Sequence, residues 1–214
     1  MQLNQYIDHT ILKPTALPTD IQRICEEAIT HKFFAVCIPP CYIELARSIL
    51  KKPNVKIATV IGFPLGAAAT EVKVFEAKNA VQNGADEIDM VINIGMLKAG
   101  ETDYIESEIA EIKNAIGTKI LKVIIETCYL NAGEKEAACR AALISKADFV
   151  KTSTGFGTGG ATFDDIKLMK KITGDAMKIK ASGGIKDRAT AVKYIELGVS
   201  RLGTSSGINL MKLE

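Results

Sequence analysis

Residues 147–184 read ADFVKTSTGFGTGGATFDDIKLMKKITGDAMKIKASGG. A short apolar run ends in Lys151, a glycine-rich loop follows, a helical pattern comes next, and a second apolar run ends in Lys180. The two lysines are 29 residues apart, about the length of one strand–helix–strand unit. Consecutive parallel strands would therefore carry both side chains to neighbouring strand ends at the same height. Two ammonium groups in one site repel each other, so either one loses its proton more readily. A neutral amine near pH 7 is what attack on a carbonyl to form a Schiff base requires.

The same alternation extends outward in both directions. Strand-like runs occupy residues 6–10, 33–38, 55–61, 87–93, 120–126, 149–153, 177–181 and 200–203, with helical patterns such as 19–31, 70–83, 103–116 and 187–197 between them. KVIIE and EIDMVIN are apolar on both faces, as strands covered on both sides are. Helix starts are marked by Thr19-Asp20, Thr162 and Asp187, and Gly84, Gly117 and Gly198 follow helical runs where a left-handed cap is favoured. Eight strands and eight helices predict a compact α/β protein, a (β/α)8 TIM barrel filling residues 1–214 as a single catalytic domain. An open doubly wound sheet shares this alternation. The helices after the second and last strands are expected to be short.

Composition narrows the function classes. The 214 residues are 47% apolar and 24% charged with a net charge of +2, which describes a soluble globular protein and predicts no nucleic-acid partner. The N-terminal MQLNQYIDHTIL lacks the basic start and apolar run of a secretory signal, and no uninterrupted apolar stretch approaches membrane-spanning length. Five cysteines (Cys25, Cys37, Cys41, Cys128, Cys139) include no C-x-x-C pair, and His9 and His31 are the only histidines. Neither a zinc site nor a disulfide framework is visible, so packed thiols in a reduced cytoplasmic compartment are expected.

In a barrel the reacting groups stand at the C-terminal ends of the strands. Those ends supply Asp8 and Thr10, Cys37, Asp89 and Asn93, Lys122 and Glu126, Lys151 and Thr152, Lys180, and Ser205-Ser206. Asp89, Lys122, Lys151 and Lys180 are charges embedded in apolar runs, which is costly without partners. They read either as a buried salt-bridge cluster or as a site with perturbed protonation. Glycine-rich TSTGFGTGG and SGG follow the two lysine strands, and Gly203-Thr204-Ser205-Ser206 opens a short helix after the last strand. Loops after strands seven and eight with an extra helix N-terminus form a recurring phosphate site, although each glycine cluster alone also reads as a tight turn. His9, alternating with Asp8, is expected to face away from the barrel interior, and 134–136 reads as a solvated helix face. Glu126 reads equally as a partner of a lysine or as a substrate ligand. Pro39-Pro40 and residues 62–66 are expected to shape loops over the strand ends.

YIDHTILKP, AVCIPPCYI, ATVIGFPLG, ADEIDMVINIG, LKVIIET, FVKTSTGFGTGGAT, KIKASGG and RLGTSS occur in this order over residues 6–206. Together they resemble the deoxyribose-phosphate aldolase family. The resemblance implies a class I, Schiff-base-forming aldolase that needs no metal and no cofactor. Such an enzyme cleaves 2-deoxy-D-ribose 5-phosphate reversibly to D-glyceraldehyde 3-phosphate and acetaldehyde, in deoxyribose phosphate catabolism. By motif, Lys151 is the Schiff-base lysine, Lys180 the neighbour that lowers its pKa, and Asp89 the proton-relay carboxylate. Asp8, Thr10 and Lys122 line the same pocket, Thr152 and Thr154 meet the sugar hydroxyls, and Gly155, Gly183, Gly184, Ser205 and Ser206 surround the phosphate. The implied partners are the sugar phosphate and aldehydes, with neither nucleic acid nor membrane, and a homo-oligomer, dimer or tetramer. Phe156 stands where some members carry a phosphate-holding lysine, and the sequence ends at Leu213-Glu214, where some continue into a tail with a terminal tyrosine. Two other readings fit the strand-end charges. One is an isomerase or lyase on a phosphorylated sugar that uses lysine only as an electrostatic clamp, and the other is a non-catalytic sugar-phosphate sensor.

Overall fold

The computed structural model describes residues 2–51 and 54–212; the expectation attached to Leu213-Glu214 lies outside the described residues. Eight parallel strands, β1 (Ile7–Thr10), β2 (Ala35–Ile38), β3 (Lys56–Ile61), β4 (Glu87–Val91), β5 (Ile120–Ile124), β6 (Phe149–Lys151), β7 (Lys178–Ser182) and β8 (Arg201–Thr204), pair in sequence order. Pairing of β8 with β1, Gly203 opposite Asp8, closes the ring. This closure decides between the barrel and the open sheet.

The helices are α1 (Pro18–His31), α2 (Ile43–Ile49), α3 (Thr70–Gln82), α4 (Ile94–Lys98), α5 (Thr102–Ile116), α6 (Ala132–Ile144), α7 (Phe163–Thr173), α8 (Arg188–Glu196) and α9 (Gly207–Met211). As expected, α2 and α9 are short, with seven and five residues. Among the described residues the helix between β4 and β5 is divided into α4 and α5, which the sequence pattern had not separated. No described helix is long and apolar enough to cross a membrane.

Local chemistry explains the helix starts. Thr162 and Asp187 accept hydrogen bonds from Asp165 N and Thr190 N, satisfying amides that lack intrahelical partners. Asn131 and Glu134 form a reciprocal capping box at α6. The α1 start falls one residue earlier than Thr19, at Pro18, whose fixed φ suits a first helical position. In α1, Ile21, Ile24, Cys25 and Ala28 are buried, the i, i+3, i+4, i+7 stripe of a helix lying on a sheet. The stripe of α5 contains a charge, Glu108, between Ile105 and Ile112. Lys73 of α3 meets it at 2.6 Å, and both side chains are fully buried.

Two corrections concern the surface. Residues 134–136 are not simply a solvated face, because Lys135 ties α6 to α7 through Asp165 at 2.6 Å and Glu134 serves the α6 cap. Cys25, Cys37 and Cys139 are buried thiols, but Cys41 is exposed and Cys128 half-buried. The proline and glycine segments do lie over the strand ends. Gly66 takes φ +71°, and a Cβ there would sit 1.9 Å from Ile92 O, so only glycine lets the β3–α3 loop lie against the end of β4.

Candidate active site

The strand register brings the embedded charges together. Lys151 pairs with Lys180 across β6 and β7, Lys180 with Arg201 across β7 and β8, and Asp89 with Lys122 across β4 and β5. Because side chains alternate along a strand, these residues point inward at closely similar levels. Asp89 is the hub. Its Oδ1 accepts from Lys122 Nζ at 2.6 Å, and its Oδ2 from Lys151 Nζ and Lys180 Nζ, both at 2.8 Å. Lys180 also donates to Asp8 Oδ2 at 2.5 Å. Lys122 also meets Glu87 at 2.7 Å. Arg201 bridges Asp8 at 2.9 Å and Glu87 at 3.1 Å, with its guanidinium 3.3 Å from the Phe34 ring centroid.

Glu87 and Arg201 were absent from the sequence-based set, yet they complete this lattice. Three carboxylates (Asp8, Glu87, Asp89) face four cations (Lys122, Lys151, Lys180, Arg201). The charges balance when one cation is neutral, and the geometry selects which. Lys122, Lys180 and Arg201 each contact at least two carboxylates, whereas Lys151 contacts only Asp89.

The protonation tendencies follow this asymmetry. Burial pushes the Lys151 amine below the ordinary lysine range, and the Lys180 charge pushes it further against the opposing pull of Asp89. Desolvation is thus the larger of the two lowering causes, and the neighbouring lysine adds to it. Burial also works against charge on Lys180, but Asp8 and Asp89 overrule it and hold that amine well above the usual range. The two lysines are therefore not interchangeable. For Asp8 and Asp89, burial alone would raise the carboxyls, but the surrounding cations hold both well below the usual carboxylate range.

Above the lattice lies a cavity of about 390 Å³. Of the seven charged residues only Lys151 lines it. Thr10, Thr154, Gly155, Gly183, Gly184, Ser205 and Ser206, all predicted site residues, also form its walls. Gly183 and Gly184 take φ of +86° and +81°, and a Cβ on Gly160 would sit 2.3 Å from Gly183 O. The loops after β6 and β7 therefore touch backbone to backbone. Residues 203–206 lead into α9 as expected; Ser206 stands just before the helix without a side-chain capping bond, its N–H donating to Thr204 Oγ1 at 2.9 Å. Lys13 and Lys186 line the same cavity and were missed, since exposed lysines in loops carry no sequence signal.

Other predicted residues are placed differently. Asp8, Asp89, Lys122 and Lys180 are buried beneath the cavity and do not line it. Thr152 was expected to meet sugar hydroxyls, but its hydroxyl donates to Ser182 O at 3.1 Å and accepts from Ser182 N at 3.0 Å. It seams β6 to β7 instead. Glu126 partners no lysine among the described residues; it accepts the Thr154 hydroxyl and, at 3.2 Å, the Thr154 amide. It thereby holds the turn that forms one wall. His9 faces outward as expected, bound to Glu27 at 2.6 Å and packed on Phe33.

Comparison with known proteins agrees with this geometry. The DeoC/LacD family aldolase profile matches residues 3–210. A deoxyribose-phosphate aldolase of Thermococcus gammatolerans is 54% identical, covering 99% of this chain and 96% of that protein. One from Finegoldia magna is 52% identical, covering 99% of this chain and all of that protein. Among solved structures, a tetrameric deoxyribose phosphate aldolase from Aeropyrum pernix superposes with a TM-score of 0.89 at 30% identity, covering 97% of this chain and 88% of the other.

Proposed function

The chain belongs to the DeoC/LacD family of aldolases, and from that premise we propose that it cleaves 2-deoxy-D-ribose 5-phosphate reversibly to D-glyceraldehyde 3-phosphate and acetaldehyde through an imine on Lys151. The observation that carries this reading is the charge imbalance around Asp89, which favours a neutral amine at the one lattice lysine that opens to the cavity. An unperturbed lysine of pKa ~10.4 is neutral in about one molecule in two thousand at pH 7. Each unit of lowering raises the reactive fraction about tenfold.

Lys151 attacks the aldehyde carbon, and loss of water leaves a protonated imine. That imine restores the excess positive charge, so the lattice favours electron flow into it from the C2–C3 bond as the C3 hydroxyl gives its proton to water, which yields a neutral enamine and the aldehyde fragment. The aldehyde fragment leaves, the enamine carbon takes a proton, and water hydrolyses the imine to release acetaldehyde. Asp89, held ionised by the cations packed around it, Lys122 and Lys180 among them, is a weak base. It passes protons as a hydrogen-bonded relay from Lys180 toward the reacting atoms rather than storing one. The glycine turns at 183–184 and the start of α9, with Lys186 beside them, form the phosphate end. Free thiols and the absence of a disulfide framework fit a cytoplasmic enzyme of deoxyribose phosphate catabolism. The tetramer of the Aeropyrum pernix relative supports a homo-oligomer, dimer or tetramer.

Borohydride reduction in the presence of deoxyribose 5-phosphate, followed by peptide mass spectrometry, tests this. A stable adduct on Lys151 is expected. An adduct on Lys180 would reverse the two lysine roles. No adduct, in enzyme shown to bind the substrate, would point to a lysine acting only as a clamp.

A further inference from the structure

His9 is a buried titratable group that the reaction leaves unused. It follows Asp8 on β1, so strand alternation sends its side chain away from the ionic lattice and toward the helices, where it is 3% exposed. Its Nε2 lies 2.6 Å from Glu27 of α1, and Arg23 holds the other oxygen of that carboxylate at 2.8 Å. Burial alone would raise the Glu27 carboxyl, but the bonds from His9 and Arg23 hold it below its usual range. Glu27 is therefore ionised, and Nε2 carries the hydrogen that it accepts. A neutral ring then keeps a bare lone pair on Nδ1, and that atom has no hydrogen-bond partner among the described residues. A buried polar atom left unpaired is costly and calls for a reason.

Nδ1 faces the back of the phosphate end. His9 sits opposite Thr204 in the β1–β8 register, and a Cβ on Gly207 would come 2.8 Å from Nδ1 and 3.1 Å from the Phe33 ring. Thr204, Ser205 and Ser206 line the cavity, and Gly207 follows them as the first residue of α9. The same turn therefore borders the cavity and rests on the imidazole. Glu27 and Arg23 of α1 are the charged groups acting on the ring, while β8 contributes the Thr204 main chain. Phe33 packs on it with centroids 5.0 Å apart and itself stacks on His31. Burial pushes His9 below the ordinary histidine range against the opposing pull of Glu27, so the ring is neutral at pH 7.

We propose that His9 is a positioning residue for the phosphate end: its ring braces the turn at 204–207 from behind, and a doubly charged oxyanion bound in that turn draws a proton onto Nδ1. This inference rests on the aldolase reading above, whose substrate brings the phosphate. An anion beside the turn favours the charged imidazole, and the coupling is reciprocal. The bound anion raises the His9 pKa, and a protonated His9 holds the anion more tightly. Gly207 keeps the turn close enough for this, since any side chain there would press on both rings.

With only two histidines in the chain, the test is direct. The imidazole C–H resonances of His9 and His31 are followed by NMR from pH 8 to 5 with and without sulfate, and His31→Gln assigns them. Sulfate is the probe because it stays doubly charged over this range, whereas a phosphate group takes up a proton near about pH 6. Saturating sulfate should raise the His9 midpoint by about half a unit or more, with His31 as the internal reference. The sulfate inhibition constant against deoxyribose 5-phosphate cleavage should fall roughly threefold from pH 8 to 5. His9→Gln, which keeps a donor for Glu27 but takes up no proton, should lose that dependence. If His9→Gln does not fold, Glu27→Gln decides the matter: it should move the His9 midpoint downward, and the tightening with it. A His9 midpoint unmoved by sulfate, or a folded His9→Gln enzyme with the wild-type pH dependence, overturns the proposal and leaves the aldolase reading intact. Wild-type enzyme that does not cleave deoxyribose 5-phosphate overturns that reading, whatever His9 does.

Discussion

At the scale of single residues, Lys180 acts through charge and not through contact with the cavity. Replacing it by leucine removes a cation beside Lys151 and leaves Asp89 to pair more fully with that amine, so the Lys151 pKa rises. For Lys180→Leu the acid limb of the kcat/KM–pH profile should move upward by about one unit or more, as measured by substrate cleavage between pH 5 and 10. An unmoved limb would remove Lys180 from the control of Lys151. The inward lysines and Asp89 were legible because a charge inside an apolar run is conspicuous. Glu87 and Arg201 were not, because each is the first residue of its strand, where a charge ordinarily meets solvent. Here Phe34 and Phe149 lie over the Arg201 guanidinium, and both charged residues are buried. The hydroxyl of Thr152 was misread for a related reason: sequence spacing places a side chain at a strand end but does not reveal which neighbouring strand it will bond.

At the scale of elements, α3 and α5 are joined by a buried ion pair that also serves the end of β4. Lys73 Nζ donates to Val91 O at 2.9 Å, and Glu108 Oε2 accepts from Asn93 N at 3.1 Å. Lys73→Met alone should cost about 3–5 kcal/mol, because it strands a buried carboxylate. Adding Glu108→Leu should recover part of that loss, a coupling that a double-mutant cycle of urea unfolding would measure. Two active-site loops meet at Gly160 and Gly183 with no room for a side chain. Gly160→Ala should spread them and lower kcat/KM for the phosphorylated substrate roughly 10- to 100-fold, with borohydride trapping of acetaldehyde on Lys151 retained. All eight strands were legible, but three stop two residues before the C-terminal ends of their apolar segments. β4, β5 and β6 stop at Val91, Ile124 and Lys151, whereas burial continues to Ile92, Thr127 and Thr154. The loops over the mouth exclude water beyond the last ladder bond, so hydrophobicity outruns pairing. α4 went unseen because its five residues are too few for a helical period to show, and its signal is the Asn93 cap, whose side chain accepts from Met96 N.

At the scale of the whole molecule, closure of the ring was not legible, since β1 and β8 pair residues more than 190 positions apart and an open sheet has the same local pattern. The closed barrel encloses its ions, which links protonation to folding. Asp8 and Asp89 have folded pKa values depressed below the ~3.9 of an unfolded aspartate. Their contribution is therefore fully present above about pH 4 and lost as pH falls toward the depressed values. The urea midpoint should drop steeply between about pH 4 and 2; a flat profile there would show that the lattice adds nothing to stability. On the alkaline side, Lys180 is raised, so its contribution is present below the ordinary lysine pKa of ~10.4 and lost only as pH rises through the higher folded value. One consequence bears on how such an enzyme changes over generations. Many proteins gain stability when an active-site residue is replaced, because function there had been held against the fold. In this barrel the reactive amine hangs from the same ionic lattice that fills the interior, so replacing its members forfeits both at once. Selection for robustness and selection for turnover then act in the same direction on these positions, and divergence in substrate range is left to the loops around the mouth.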